Sequence, residues 1–230
     1  MQEKYDVNSK YGKMNSVKVE NQLSSNEYVS ISDNGGNLKI LFIGNSITKH
    51  EPAPEIGWHG NWGMAASCEE RDYVHIILRE LKKKYLVDSC IVQCAIWERN
   101  FKNNEDILQK YYKSAHDFEA DIIVVRIGEN IKDIQDLAAL KCAFEKMILF
   151  FQNERKAKII ITSLFWNKKS VNEIIKNIAE EHNYVFCDIS DLEKDEKTMA
   201  LGNFEHRGIC VHPSDYGMKC IADKILSCIY

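Results

Sequence analysis

Five short apolar runs punctuate this chain, and together they restrict its fold more than any other feature. They are Leu38–Ile43, Cys90–Ala95, Asp121–Arg126, Lys158–Thr162 and Tyr184–Cys187, each four to six residues long. That length suits one buried strand, and Ile, Val and Phe dominate the runs, as the pleated surface of a sheet prefers. The segments between them read as helices: from about Ser67 to Tyr85, with Val74, Ile77, Leu78 and Leu81 as the buried stripe, then Asn104–Phe118, Ile134–Asn153 and Ser170–His182. Ser67-Cys68-Glu69-Glu70 has the capping-box pattern for the first of these, and Pro213 is expected to open a last helix. Strands alternating with helices over this length define an α/β class, with a parallel sheet covered on both faces.

The 230 residues are those of one domain with a sizeable core. A net charge of −4 without a long basic block argues against nucleic acid or an anionic membrane surface as a main partner. No apolar run approaches the ~20 residues needed to span a bilayer. The opening MQEKYDVNSKYGK lacks the apolar core of a signal peptide, so a cytoplasmic location is expected. The eight cysteines are scattered and form no Cys-x-x-Cys pair, which fits buried free thiols. Residues 1–36 are polar, with candidate short strands at Ser16–Val19 and Tyr28–Ile31 and a turn signal at Asp33-Asn34-Gly35-Gly36. The expected division is therefore an N-terminal extension, 1–36, followed by the domain proper, 37–230.

Open α/β sheets hold ligands at the carboxyl edge of their strands, so the residues ending each run carry the functional signal. The first run breaks into Gly44-Asn45-Ser46, the second leads into Ala95 and Glu98, and the third ends in Gly128-Glu129-Asn130. His212 immediately precedes Pro213 and the last helix. Acyl transfer needs a nucleophile, a base in hydrogen-bond reach and donors for the developing oxyanion. Ser46, His212 and Asn130 have the side chains for those roles. The competing structural readings are a helix cap for Ser46, a turn residue for Asn130 and a helix-start residue for His212.

Gly44-Asn45-Ser46-Ile47-Thr48, Gly128-Glu129-Asn130 and His212-Pro213 together resemble the ordered blocks of the SGNH/GDSL hydrolase superfamily, over residues 38–230. The resemblance implies a five-stranded parallel sheet in flavodoxin-like order within a three-layer α/β/α fold. It also implies Ser46 as nucleophile, His212 as general base, and an oxyanion hole from the Ser46 backbone N–H, the Asn130 side chain and a backbone N–H after the second strand, here Ala95. Two positions depart from the family pattern. Ala95 stands where glycine is usual, and Ile209 stands where the family has the aspartate that orients the histidine. That leaves a Ser–His dyad with a backbone carbonyl holding the ring, a carboxylate from elsewhere (Glu98, Glu129 or Glu205), or a silent site; the dyad is preferred because a carbonyl can fix the tautomer.

The function expected on this resemblance is a serine esterase or acylhydrolase acting on a small ester, with acyl groups on carbohydrates as the expected class. A catalytically silent glycan- or metabolite-binding domain and an O-acyltransferase are the alternatives. Neither a metal nor an organic cofactor is required, and the spacing of His206, Cys210 and His212 matches no standard zinc pattern. The segment Lys49–Ala66 is irregular and carries Trp58, His59 and Trp62, expected to form a substrate lip over the crevice. Glu98-Arg99 reads as a surface ion pair.

Overall fold

A computed structural model describes residues 28–132 and 136–230. Its centre is a six-stranded sheet built from β1 (Val29–Ser32), β2 (Leu38–Gly44), β3 (Val87–Gln93), β4 (Ile122–Arg126), β5 (Lys158–Thr162) and β6 (Val185–Cys187). The spatial order is β1-β3-β2-β4-β5-β6. β2 to β6 run parallel, while β1 lies antiparallel on β3, with Val29 opposite Val92 and Ser32 opposite Ser89. The expected five-stranded parallel sheet in flavodoxin-like order is present, and β1 adds a sixth strand at its edge. The other candidate N-terminal strand, Ser16–Val19, lies outside the described residues.

Alternation along the strands explains the two cores. Ile40 and Phe42 face one side with Val124 and Ile160, and Leu41 and Ile43 face the other with Val125 and Ile161. The first side is covered by α1 (Tyr73–Leu81) and α7 (Asp215–Ile229). The second is covered by α2 (Ala95–Asn100), α3 (Asn104–His116), α4 (Leu137–Gln152) and α5 (Lys169–His182). Ile40, Leu41, Phe42 and Ile43 are all fully buried. Each such side chain is worth roughly 1.5–3 kcal/mol against exposure, so a strand apolar on both faces can only be central.

Several boundaries differ from the sequence expectation. The capping box at Ser67 is not formed. Ser67 instead donates through Oγ to Asp215, and α1 is capped by buried Asp72, which accepts the His75 N–H at 2.8 Å. After β3 the chain turns directly into α2, whose Ile96 and Trp97 pack into the second core. The last helix starts after Pro213, with Ser214 as its cap accepting the Gly217 N–H. A four-residue helix, α6 (Arg207–Cys210), precedes His212.

Candidate active site

The chain leaves β2 for β3 on one side of the sheet and returns to β4 on the other, so the ends of β2 and β4 flank the topological switch point. Ser46 sits there, on a turn closed by Thr48 and Lys49 N–H groups donating to the Asn45 carbonyl at 2.9 and 3.0 Å. The turn explains Gly44: a Cβ there would stand 1.7 Å from Thr48 Oγ1. On the neighbouring loop Gly128 has φ +139°, a conformation that side chains disfavour, which lets the chain reverse directly after β4 and bring Asn130 back toward Glu98.

His212 reaches this edge from the other end of the sequence. Its loop is fastened by the Ala200 N–H donating to the His212 carbonyl at 2.9 Å and the Ser214 N–H donating to Thr198 at 2.8 Å. The imidazole Nε2 lies 2.8 Å from Ser46 Oγ, and Nδ1 lies 2.7 Å from the Gly208 carbonyl. A carbonyl only accepts, so Nδ1 carries the ring hydrogen and Nε2 presents its lone pair to the serine hydroxyl. Trp166, just past β5, packs edge-on against the imidazole, with centroids 4.9 Å apart, and donates its indole N–H to Val211. Burial pushes the His212 pKa down to about 3, against the pull of the Gly208 carbonyl, and the nearby His50 and Arg126 charges act in the same direction as burial.

Among the described residues no carboxylate bonds to His212. Ile209 is fully buried in a satellite cluster with Ala53, Trp58, Met64 and Ala200. The ring's two hydrogen bonds go to Ser46 and Gly208 and not to Glu205, and Glu98 and Glu129 are engaged elsewhere. Those two form, with Arg126, a buried charged cluster that the sequence reading missed. Glu98 is fully buried rather than paired with Arg99 at the surface, and Arg99 is exposed. Arg126 closes β4, fully buried, and donates to Glu129 Oε1 at 2.6 Å and to Asn45 Oδ1. Asn45 Nδ2 donates to Glu129 at 2.7 Å and to Glu98 at 3.1 Å. An aspartate at 45 would set a third carboxylate against these two, which gives a physical reason for Asn45. Lys168 Nζ donates to the Glu129 and Ile131 carbonyls at 2.6 and 2.9 Å and braces the loop from outside.

The three expected oxyanion donors are not equivalent. The Ser46 N–H has no hydrogen-bond partner among the described residues. Asn130 Nδ2 donates one hydrogen to Glu98 Oε2 at 2.6 Å and keeps a second. The Ala95 N–H is taken by Gln93 Oε1 at 3.1 Å. Of the expected lip, His59 is exposed and Trp62 half-buried, but Trp58 is 3% exposed, donating to the His50 carbonyl and packed against Trp62 and Phe204. Trp58 is therefore a core residue of this excursion. Lys49–Ala66 is a folded flap, pinned by the His50–Trp62 and Ala53–Trp58 bridges.

Cys210 donates to the Phe204 carbonyl and shares no metal-sized cluster with His206 and His212. Among the described residues only Glu145, Glu181 and His182 bring three ligand atoms within 4.8 Å, on the surface, where Lys141 pairs with Glu181. No helix among the described residues is long and apolar enough to cross a membrane.

No protein-family model matches the sequence, and no curated protein matches it. Solved structures do, at the level of fold, and that fold is the one the SGNH/GDSL hydrolases use. A two-domain esterase active on acetylated mannans, co-crystallised with mannopentaose, aligns with TM-score 0.55 at 16% identity, over 84% of this chain and 49% of that one. This chain thus spans about half the length of that esterase. A lipase/acylhydrolase from Enterococcus faecalis aligns with TM-score 0.54 at 15% identity over 84% of this chain and 95% of that one. A carbohydrate esterase of family 3 from Talaromyces cellulolyticus gives 0.52 at 15%, over 84% and 96%.

Proposed function

We propose that the protein is a serine esterase of the SGNH type, and the observation that carries this reading is the Ser46 Oγ–His212 Nε2 contact of 2.8 Å with Nδ1 held on a carbonyl. His212 takes the Ser46 proton as the hydroxyl oxygen attacks the ester carbonyl. The tetrahedral oxyanion is met by the Ser46 N–H and the second Asn130 Nδ2 hydrogen. His212 then returns the proton to the leaving alkoxide, and water, deprotonated by the same imidazole, releases the acyl group from Ser46. Ala95 contributes a donor only if Gln93 swings away, so a two-donor hole is the resting arrangement.

A His212 pKa near 3 keeps the imidazole neutral, the form a base needs, through the physiological range. The same burial leaves the imidazolium intermediate without a carboxylate to stabilise it, so turnover is slower than in a triad enzyme. Acyl groups on carbohydrates are the substrate class this reading favours, because esterases active on acetylated mannans share the fold. The half-buried Trp62 and exposed His59 remain as the flap surfaces available to a sugar ring.

Fluorophosphonate labelling tests the reading. Wild type is expected to be labelled, and Ser46→Ala and His212→Ala each to lose the label while remaining folded. An unlabelled, folded wild type refutes the esterase and leaves a ligand-binding domain.

A further inference from the structure

The oxyanion role asked of Asn130 raises a geometric problem. A side-chain amide presents N–H2 on one side and C=O on the other, and a flip turns a donor into an acceptor aimed at an anion. Asn130 sits on the loop after β4, braced on its outer side by Lys168. What defines its amide is Glu98, from a different segment. Glu98 Oε2 accepts Asn130 Nδ2 at 2.6 Å, and Oε1 accepts the Asn130 N–H at 3.2 Å, the Gly128 N–H at 2.6 Å and Asn45 Nδ2 at 3.1 Å. All four partners are donors and none can receive a carboxyl proton, so the site is built for the acceptor-only carboxylate.

A fully buried carboxylate is an expensive way to hold two loops together, and an apolar side chain of similar volume often does as well. An apolar residue cannot tell one end of an amide from the other. Fixing one Nδ2 hydrogen on Glu98 fixes the amide plane, and with it the direction of the second hydrogen. Through Asn45 the same carboxylate reaches the residue before Ser46, so both expected donors of the hole are referenced to one side chain.

We propose that Glu98 is the positioning residue of the oxyanion site, holding the Asn130 amide so that its free Nδ2 hydrogen faces the acyl oxygen bound at Ser46. This rests on the serine-esterase reading above. It does not require Glu98 to touch the substrate.

The test is a double-mutant cycle on kcat and KM for p-nitrophenyl acetate, with wild type, Glu98→Gln, Asn130→Ala and the double variant, each checked for folding by thermal unfolding. Glutamine matches the shape of glutamate but must set an NH2 against at least one of the four donors. Glu98→Gln is expected to lower kcat about 100-fold with KM nearly unchanged, as Asn130→Ala does. The double variant should be no worse than either single one, because both remove the same aimed hydrogen.

Glu98→Asp, which keeps the charge and shortens the reach, is expected to lie between wild type and Gln, and it carries the test should Glu98→Gln not fold. Full kcat in a folded Glu98 variant, or losses that multiply in the double variant, overturn the proposal and leave the esterase standing. A wild type inert toward both ester and fluorophosphonate overturns both.

Discussion

The two side chains proposed to act with Ser46 are held in opposite ways. On one flank His212 is fixed by neutral groups only, the Gly208 carbonyl and the Trp166 ring, in a pocket whose charges oppose its protonation. On the other, Asn130 hangs on a buried cluster holding two carboxylates and a guanidinium. The SGNH pattern puts a carboxylate behind the histidine; here carboxylates stand behind the amide. Orientation and charge stabilisation are separable tasks. A carbonyl holds the imidazole here, whereas the buried charge stands behind the amide whose orientation the proposed oxyanion role requires.

The comparison breaks most decisively at Arg126. Arg126→Met leaves Glu129 and Glu98 without their cation, and stability should drop by about 3–5 kcal/mol, as when one partner of a buried ion pair is removed. Urea denaturation measures this, and a loss below about 1 kcal/mol, the range of an exposed pair, would mean that the cluster is wetter than its burial indicates.

The histidine flank gives a graded effect through pH. Because the folded-state pKa of His212 is depressed to about 3 from 6.5, the folded chain stays unprotonated where the unfolded chain takes up a proton. Its contribution to stability is therefore complete above pH 6.5 and declines as pH falls toward 3, by at most about 1.4 kcal/mol per unit. Denaturation at pH 7 and pH 5 should show a smaller acid loss in His212→Gln than in wild type. Activity should show no acid limb near pH 6.5, the position of an unperturbed imidazole.

The smallest effect is expected at Trp166. Trp166→Phe keeps a ring against His212 but removes the hydrogen bond to Val211, a change of about 1 kcal/mol. Its signature is a few-fold fall in kcat with Ser46 still labelled. A kcat equal to wild type would assign the tautomer to Gly208 alone.

Much of this was legible in the sequence, for identifiable reasons. The apolar runs that became β2 to β6 are strongly one-sided signals, because a central strand must be apolar on both faces. Gly44, Gly128, Ser46 and His212 stood out because turn geometry and reactivity restrict residue type. Glu98 was misread because burial of a charge depends on partners from two distant segments, Asn45 after β2 and Gly128 and Asn130 after β4, which no local pattern announces. A faint signal was present in Arg126, a lone cation closing an apolar run with Glu129 three residues on. Trp58 was misread because an irregular segment rich in Pro and Gly resembles a loop until its own small core is seen. The capping box failed because Asp72, buried and already accepting from Gly63, made a better start for α1.

The carbonyl of Gly208 has one further consequence. A side-chain partner for the histidine can be lost by a single base change, but a main-chain oxygen is supplied by whatever amino acid occupies the position. Only a change that bends the turn can remove it, and the turn is short, running from His206 through α6 to His212. A Cβ at 208 would meet the His206 ring at 2.8 Å, so glycine is favoured there for space. The orientation of the imidazole is thus inherited with the path of the backbone, and drift in the surrounding side chains leaves it intact.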